Sequence, residues 1–180
     1  MLIVEGPDGA GKSHLVDRLT ADLGLLVQPR ACRSDTGVDP LTLRDWVDGD
    51  LSRPVHERAV YDRYPLISEP IYGTICRGRV ALGFDDPYWL IRSWTMLLAK
   101  EPIFVYCLPP WREVGENIDK DHLPDTEHLF QVIQHGHALY DAYVHQAAFH
   151  VLNGLPRVMI WDYTKDEDYA FIRDVVKGVI

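Results

Sequence analysis

Long apolar runs are missing from this chain: no stretch approaches the ~20 residues that a membrane span requires. Cysteine is scarce too. Cys32, Cys76 and Cys107 are odd in number, widely spaced and form no C-x-x-C pair, so neither a disulfide framework nor a zinc ribbon is expected. A reducing cytoplasm is the natural setting for such a chain. The opening residues Met1-Leu2-Ile3-Val4-Glu5 are too short and turn acidic too early for a signal peptide. Basic residues are outnumbered, with 18 Lys and Arg against 27 Asp and Glu and a formal net charge of −9. That balance argues against a surface that grips duplex nucleic acid by neutralising its phosphates, although a local basic groove can sit within an acidic total. Repeats, low-complexity tracts and dividing linkers are absent as well, so residues 1–180 read as a single domain.

What the chain does have is apolar material, 47% of its residues, in short runs that alternate with helical patterns. Met1–Val4 reads as a buried first strand. Lys12–Leu23 follows with Leu15, Val16, Leu19 and Leu23 at helical spacing, closed by Gly24. Further strands are expected at Leu25–Val27, Ala59–Tyr61, Ile103–Leu108 and Arg157–Trp161. Helices are expected at Leu41–Leu51, from Pro65 towards Gly78, and at Pro87–Lys100, Glu127–Ala148 and Glu167–Val176. Pro29–Pro40 reads as a loop. Strands alternating with helices imply an α/β fold, a mostly parallel sheet covered on both faces.

Gly6-Pro7-Asp8-Gly9-Ala10-Gly11-Lys12-Ser13 matches G-x-x-x-x-G-K-S without a gap, between an expected strand and an expected helix. Glycines let successive backbone N–H groups turn inward around phosphates. Lys12 adds a cation near the β/γ oxygens and the Ser13 hydroxyl can ligate Mg²⁺. The helix N-terminus points its partial positive charge at the same anion. These residues predict a nucleoside triphosphate site. Asp8 needs a partner inside such a loop: it accepts from a sugar hydroxyl, orients an arginine, or supports the turn.

Tyr61-Asp62-Arg63-Tyr64 ends a strand, where open parallel sheets place ligand-binding groups. Asp62 is suited to hold Mg²⁺ through water or to take a proton from an attacking oxygen. Arg63 carries the planar fork that clamps a phosphate. A plain surface ion pair is the alternative.

The phosphate loop together with Asp62-Arg63-Tyr64 resembles the thymidylate kinase family. The segment Asp62-Arg63-Tyr64-Pro65-Leu66-Ile67-Ser68-Glu69-Pro70-Ile71-Tyr72-Gly73 is similar to the variant in small bacteriophage nucleotide kinases. The resemblance implies a P-loop kinase fold with a five-stranded parallel core, acting in the cytoplasm, that of the host for a phage protein. It implies ATP as donor with Mg²⁺, and a deoxynucleotide-type acceptor. It further implies that Asp8 touches the acceptor sugar, that Asp62 assists the chemistry, and that Arg63 holds the acceptor. Tyr64, Ser68 and Tyr72 would line the acceptor pocket, though Ser68 and Tyr72 stand one residue further from Asp62 than in cellular thymidylate kinases. A second copy of the chain, as a homodimer partner, is compatible with it.

One departure from the family concerns the cation that meets the transferring phosphate. Thymidylate kinases bring an arginine from the phosphate loop or from a lid; here Gly9 occupies the loop position. The expected lid, Trp111–His128, is dominated by Glu113, Glu116, Asp119, Asp121, Asp125 and Glu127, with only Arg112 and Lys120 basic. Arg112 is the candidate, with Arg77, Arg79 and Arg92 as alternatives from the acceptor side. Elsewhere, His135 and His137 stand out of metal-ligand register, and His122 and His128 read as solvent-facing. Trp89 and Trp94 read as core. Asp162-Tyr163-Thr164 follows the last strand as a turn or as an approach to adenine. The leading function is a deoxynucleoside monophosphate kinase. Alternatives are a phage kinase acting on 5-hydroxymethyluracil bases in DNA, a deoxynucleoside kinase with Asp62 as base, and, from another class, a nucleotide-binding switch. No G-protein base-recognition motif such as N-K-x-D supports the last.

Overall fold

A computed structural model describes residues 1–29, 40–54, 57–81, 83–120 and 127–179. Five parallel strands form one sheet: β1 (Leu2–Glu5), β2 (Leu26–Val27), β3 (Ala59–Asp62), β4 (Ile103–Cys107) and β5 (Val158–Trp161), in the order β2-β3-β1-β4-β5. The inner strands β1 and β4 are buried along their whole length, as near-continuous apolar runs in a covered parallel sheet must be. The two-residue β2 forms one edge, with both side chains about half exposed.

Helices α1 (Lys12–Leu23), α2 (Pro40–Ser52), α3 (Pro65–Arg77), α4 (Pro87–Leu98), α5 (Trp111–Lys120), α6 (Glu127–Leu152) and α7 (Asp166–Lys177) complete the α/β architecture. Local chemistry sets several of their ends. Gly24 and Gly78 close α1 and α3 in left-handed conformations. Proline opens α3 and α4, where its missing N–H costs nothing, and the Asp86 carboxylate caps α4 by accepting from the N–H groups of Tyr88 and Trp89.

Two findings differ from the sequence reading. A regular helix, α5, which the sequence reading did not expect, occupies residues 111–120. Helix α6 runs on to Leu152 instead of stopping at Ala148. Within the expected lid, residues 121–126 lie outside the described part, with His122 among them, as do the side chains of Lys120 and His128; Cys32 also falls outside. No described helix is long and apolar enough to cross a membrane.

Strand register places the site. Parallel pairing sets Val4 opposite Asp62 and Glu5 opposite Tyr106, so the carboxyl ends of β1, β3 and β4 finish together. The phosphate loop leaves the central strand at that edge, where open α/β sheets bind ligands.

Candidate active site

Gly6 begins the loop at φ 145°, and a Cβ built on it would stand 2.6 Å from the carbonyl oxygen of Cys107. Only glycine lets the loop leave the sheet this close to β4. At its far end the chain enters α1, so Lys12 and Ser13 sit in the first helical turn with its unpaired N–H groups. The Lys12 ammonium is nearly buried and donates to the Pro7 carbonyl at 2.5 Å. Burial, with the nearby Arg63 cation, pushes its pKa down to about 8. A polyanion bound in this loop would relieve both effects.

Ser13, in the first turn of α1, faces Asp62 at the end of β3. The Ser13 hydroxyl donates to Asp62 Oδ2 at 3.2 Å, while Asp62 Oδ1 is buried with no hydrogen-bond partner. A buried carboxylate oxygen left without a partner is costly. One hydroxyl and one carboxylate suit Mg²⁺, a hard cation that keeps several waters and takes phosphate oxygens, so Ser13 and Asp62 fit that ion. Among the described residues no cluster of His, Cys, Asp and Glu suits a metal held by protein alone.

Arg63 is the hub of the polar cluster beside the loop. It adopts φ 73°, a left-handed conformation that costs a non-glycine residue on the order of 1 kcal/mol. This turn, anchored by its N–H on the Val4 carbonyl at 2.9 Å, brings the guanidinium back over the phosphate loop. There it forms an ion pair with Asp8, donates to the Tyr72 hydroxyl at 2.5 Å and sets its Cζ over the Tyr72 ring, 4.5 Å from the ring centre. Tyr72 in turn donates to the other Asp8 oxygen at 2.9 Å. Burial alone would raise the Asp8 pKa, but the Arg63 and Lys12 cations overcome it and hold the carboxyl well below the usual range. Asp8 is therefore an ionised acceptor and a poor proton acceptor at neutral pH. Arg63 Nε remains buried without a partner.

The structure brings Asp8, Lys12, Ser13, Asp62, Arg63 and Tyr72 together, but not every residue named from the sequence. Tyr64 is fully buried: its hydroxyl donates to Asp50 Oδ2 at 2.8 Å and its ring packs against Trp46 and Tyr61. A ring spent on the core does not face an acceptor, so the pocket-lining role expected for Tyr64 is corrected to packing. Ser68 is half-buried and donates to the Tyr64 carbonyl at 3.2 Å.

Arg112 also stands apart. It is 83% exposed and pairs with Glu116 four residues on. Helix α5 turns a different set of residues to the phosphate loop. A Cβ on Gly9, at φ 75°, would lie 2.7 Å from the Val114 carbonyl and 2.9 Å from Ile118, so glycine at this position is what admits α5. Asn117 donates to the Gly9 carbonyl and to the Tyr163 hydroxyl, each at 2.9 Å, and so ties the loop, α5 and the segment after β5 together. Of the other arginines, Arg77 pairs with Glu69, Arg92 with Asp48, and Arg79 is exposed.

Trp89 is core, donating to Asp48 at 3.1 Å and packing on Phe84. His137 pairs with Asp141 on the helix surface. Asp162 caps its own turn by accepting from Thr164, whereas Tyr163 reaches the phosphate loop through Asn117.

Glu5 and Asn117 were not singled out by sequence reasoning. Glu5 carried a signal, a lone carboxylate closing an apolar strand just before the loop. It is fully buried, accepting from the Tyr64 N–H at 2.6 Å and the Tyr143 hydroxyl at 3.1 Å. Burial drives its pKa up to about 7 against the pull of these bonds and of Arg63 and Lys12. Asn117 carried none, because its two partners are distant in sequence.

No protein-family model and no curated protein matches the chain. Solved structures do resemble it. The YorR protein of Bacillus subtilis, in complex with phosphorylated GDP, shares 17% identity over 99% of this chain and 94% of its own, with TM-score 0.67. Deoxyadenosine kinase from M. mycoides with bound dCTP shares 16% over 99% and 100%, with TM-score 0.57. The same enzyme with bound dATP shares 14% over 97% and 98%, with TM-score 0.61. At these identities the likeness is one of fold. With a five-stranded parallel sheet and a phosphate loop leaving its central strand, the chain has the α/β fold of the P-loop kinases.

Proposed function

We propose that this chain is an ATP-dependent kinase whose acceptor is a deoxynucleoside monophosphate, in the manner of thymidylate kinases and their phage relatives. The observation that carries the reading is the Asp8–Arg63–Tyr72 cluster beside the Ser13–Asp62 pair. The phosphate loop holds the triphosphate, with Lys12 at the β/γ oxygens. Ser13 and Asp62 would hold Mg²⁺, which supplies charge neutralisation at the transferring phosphoryl group. Arg63 holds the acceptor phosphate, for which it has an unpaired Nε, and Asp8 accepts from the acceptor sugar. An acceptor oxygen then forms a bond to the γ-phosphorus as the bond from that phosphorus to the bridging oxygen breaks. ADP leaves.

The charge arrangement favours a phosphate acceptor over a hydroxyl. A phosphate oxygen is already ionised, whereas a sugar hydroxyl must give up a proton to a base. Asp8 is a poor base, and Asp62 would have to leave its metal role to act as one. Arg112 lies on the face of α5 away from Val114 and Ile118 and joins the reading only if α5 turns when nucleotide binds. A loss of kcat in Arg112→Ala with little change in the KM for ATP is the result that would place it there.

The test is an acceptor screen with γ-labelled ATP across deoxynucleoside monophosphates, deoxynucleosides and DNA containing 5-hydroxymethyluracil. Label in a deoxynucleoside diphosphate is expected; label in DNA or in a nucleoside monophosphate would move the assignment to that acceptor class.

A further inference from the structure

Glu5 has no part in the mechanism above, yet it is a fully buried carboxylate immediately beneath it. Its Oε1 takes the N–H of Tyr64 and its Oε2 the hydroxyl of Tyr143 from α6. The Tyr64 N–H is the first backbone donor after Arg63, whose left-handed φ of 73° the chain would not hold unaided. Two bonds therefore bracket the strained residue: Arg63 N–H on the Val4 carbonyl and Tyr64 N–H on Glu5, both acceptors belonging to β1. The same carboxylate reaches the far side of the cluster, because Tyr143 packs edge-on against Tyr72, 6.2 Å between ring centres.

We propose, resting on the kinase reading, that Glu5 is a positioning residue for acceptor binding, whose carboxylate holds the Arg63–Tyr64 turn and so aims the Arg63 guanidinium at the acceptor phosphate. It does not touch the reacting groups. A carboxylate accepts both bonds at once, whereas a protonated acid turns one oxygen into a donor. The grip is therefore tightest when Glu5 is ionised. The charged and titratable groups around it are Arg63 after β3, Lys12 in α1, Tyr143 in α6, Tyr72 in α3, and Tyr106 and Cys107 in β4. With Glu5 pushed up to about 7, its ionisation falls within the working range of a neutral-pH enzyme.

The test pairs Glu5→Gln with Tyr143→Phe and reads two signals. The first is the NMR resonances of the Tyr64 amide and the Arg63 Nε–H. In the wild type both are expected to move with pH, with a midpoint near 7. In Glu5→Gln that movement should vanish and the Arg63 resonance should shift. The second is steady-state kinetics. Glu5→Gln should raise the acceptor KM by ~10-fold with the KM for ATP within ~2-fold, and Tyr143→Phe should show a smaller change in the same direction. Equal losses for both substrates, or unchanged Arg63 resonances, would overturn the inference. If the wild type phosphorylates no acceptor, the kinase reading fails; the Tyr64 and Arg63 resonances still decide whether Glu5 positions the arginine.

Discussion

Arg63 is a residue whose backbone and side chain are both under constraint. Its φ of 73° stores strain, and its guanidinium is shared between Asp8 and Tyr72. Strain of this kind persists only where surrounding contacts over-determine it. Arg63→Lys keeps the charge but loses the planar fork that reaches Asp8 and the Tyr72 hydroxyl together. It should lower the acceptor kcat/KM by ~10²-fold while ATP binding changes little; equal weakening of ATP binding would place Arg63 on the donor side. Glu5 supplies a pH prediction. Its folded pKa, about 7, lies above its ordinary value of 4.5, so its protonated form is favoured by folding. The associated stability is fully present below pH ~4.5 and lost as pH rises through ~7. Glu5→Gln should therefore gain stability relative to wild type between pH 5 and pH 8, by on the order of 3 kcal/mol. Thermal melts across that range check it, and a pH-independent difference would contradict it.

At the scale of elements, α5 is the feature that the sequence concealed. Trp111, Val114 and Ile118 stand at helical spacing, but the acidic residues around them and the preceding Pro109-Pro110 read as a lid. What α5 does depends on contacts remote in sequence, with Gly9 over 100 residues away, and no local pattern encodes those. The strands were legible because buried parallel strands are continuous apolar runs, as Ile103–Cys107 shows. Helix ends marked by Gly24, Gly78 and Pro65 were legible for the same local reason. Tyr64 was misread because its position beside Asp62 says nothing about which way its ring points; Asp50 on α2 decides that. Gly9→Ala tests the α5 contact. The new methyl group meets backbone at 2.7 Å in a left-handed conformation, so α5 must shift. A stability loss of ~1–3 kcal/mol is expected, with a several-fold rise in the KM for ATP. A melting temperature and KM equal to wild type would show that α5 does not rest on the loop.

For the whole molecule, the Gly6–Ser13 loop and the Asp62-Arg63 pair stand out in the sequence because each is short and contiguous; their adjacency depends on the Val4–Asp62 register, a property of the sheet. Although the net charge is −9, Lys12 and Arg63 are gathered at the carboxyl ends of the strands beside helix α1, a local cationic site of the kind a polyanion requires. The central claim is phosphoryl transfer to a nucleotide, and the most direct measurement is the stoichiometry of products from ATP, Mg²⁺ and a deoxynucleoside monophosphate. The account predicts ADP and a deoxynucleoside diphosphate formed one for one by the wild type, and turnover at least ~10²-fold lower in a folded Lys12→Ala variant, which removes charge from the transferring phosphate. ADP appearing with orthophosphate and no phosphorylated acceptor would contradict it and mark the chain as a nucleotide hydrolase or switch.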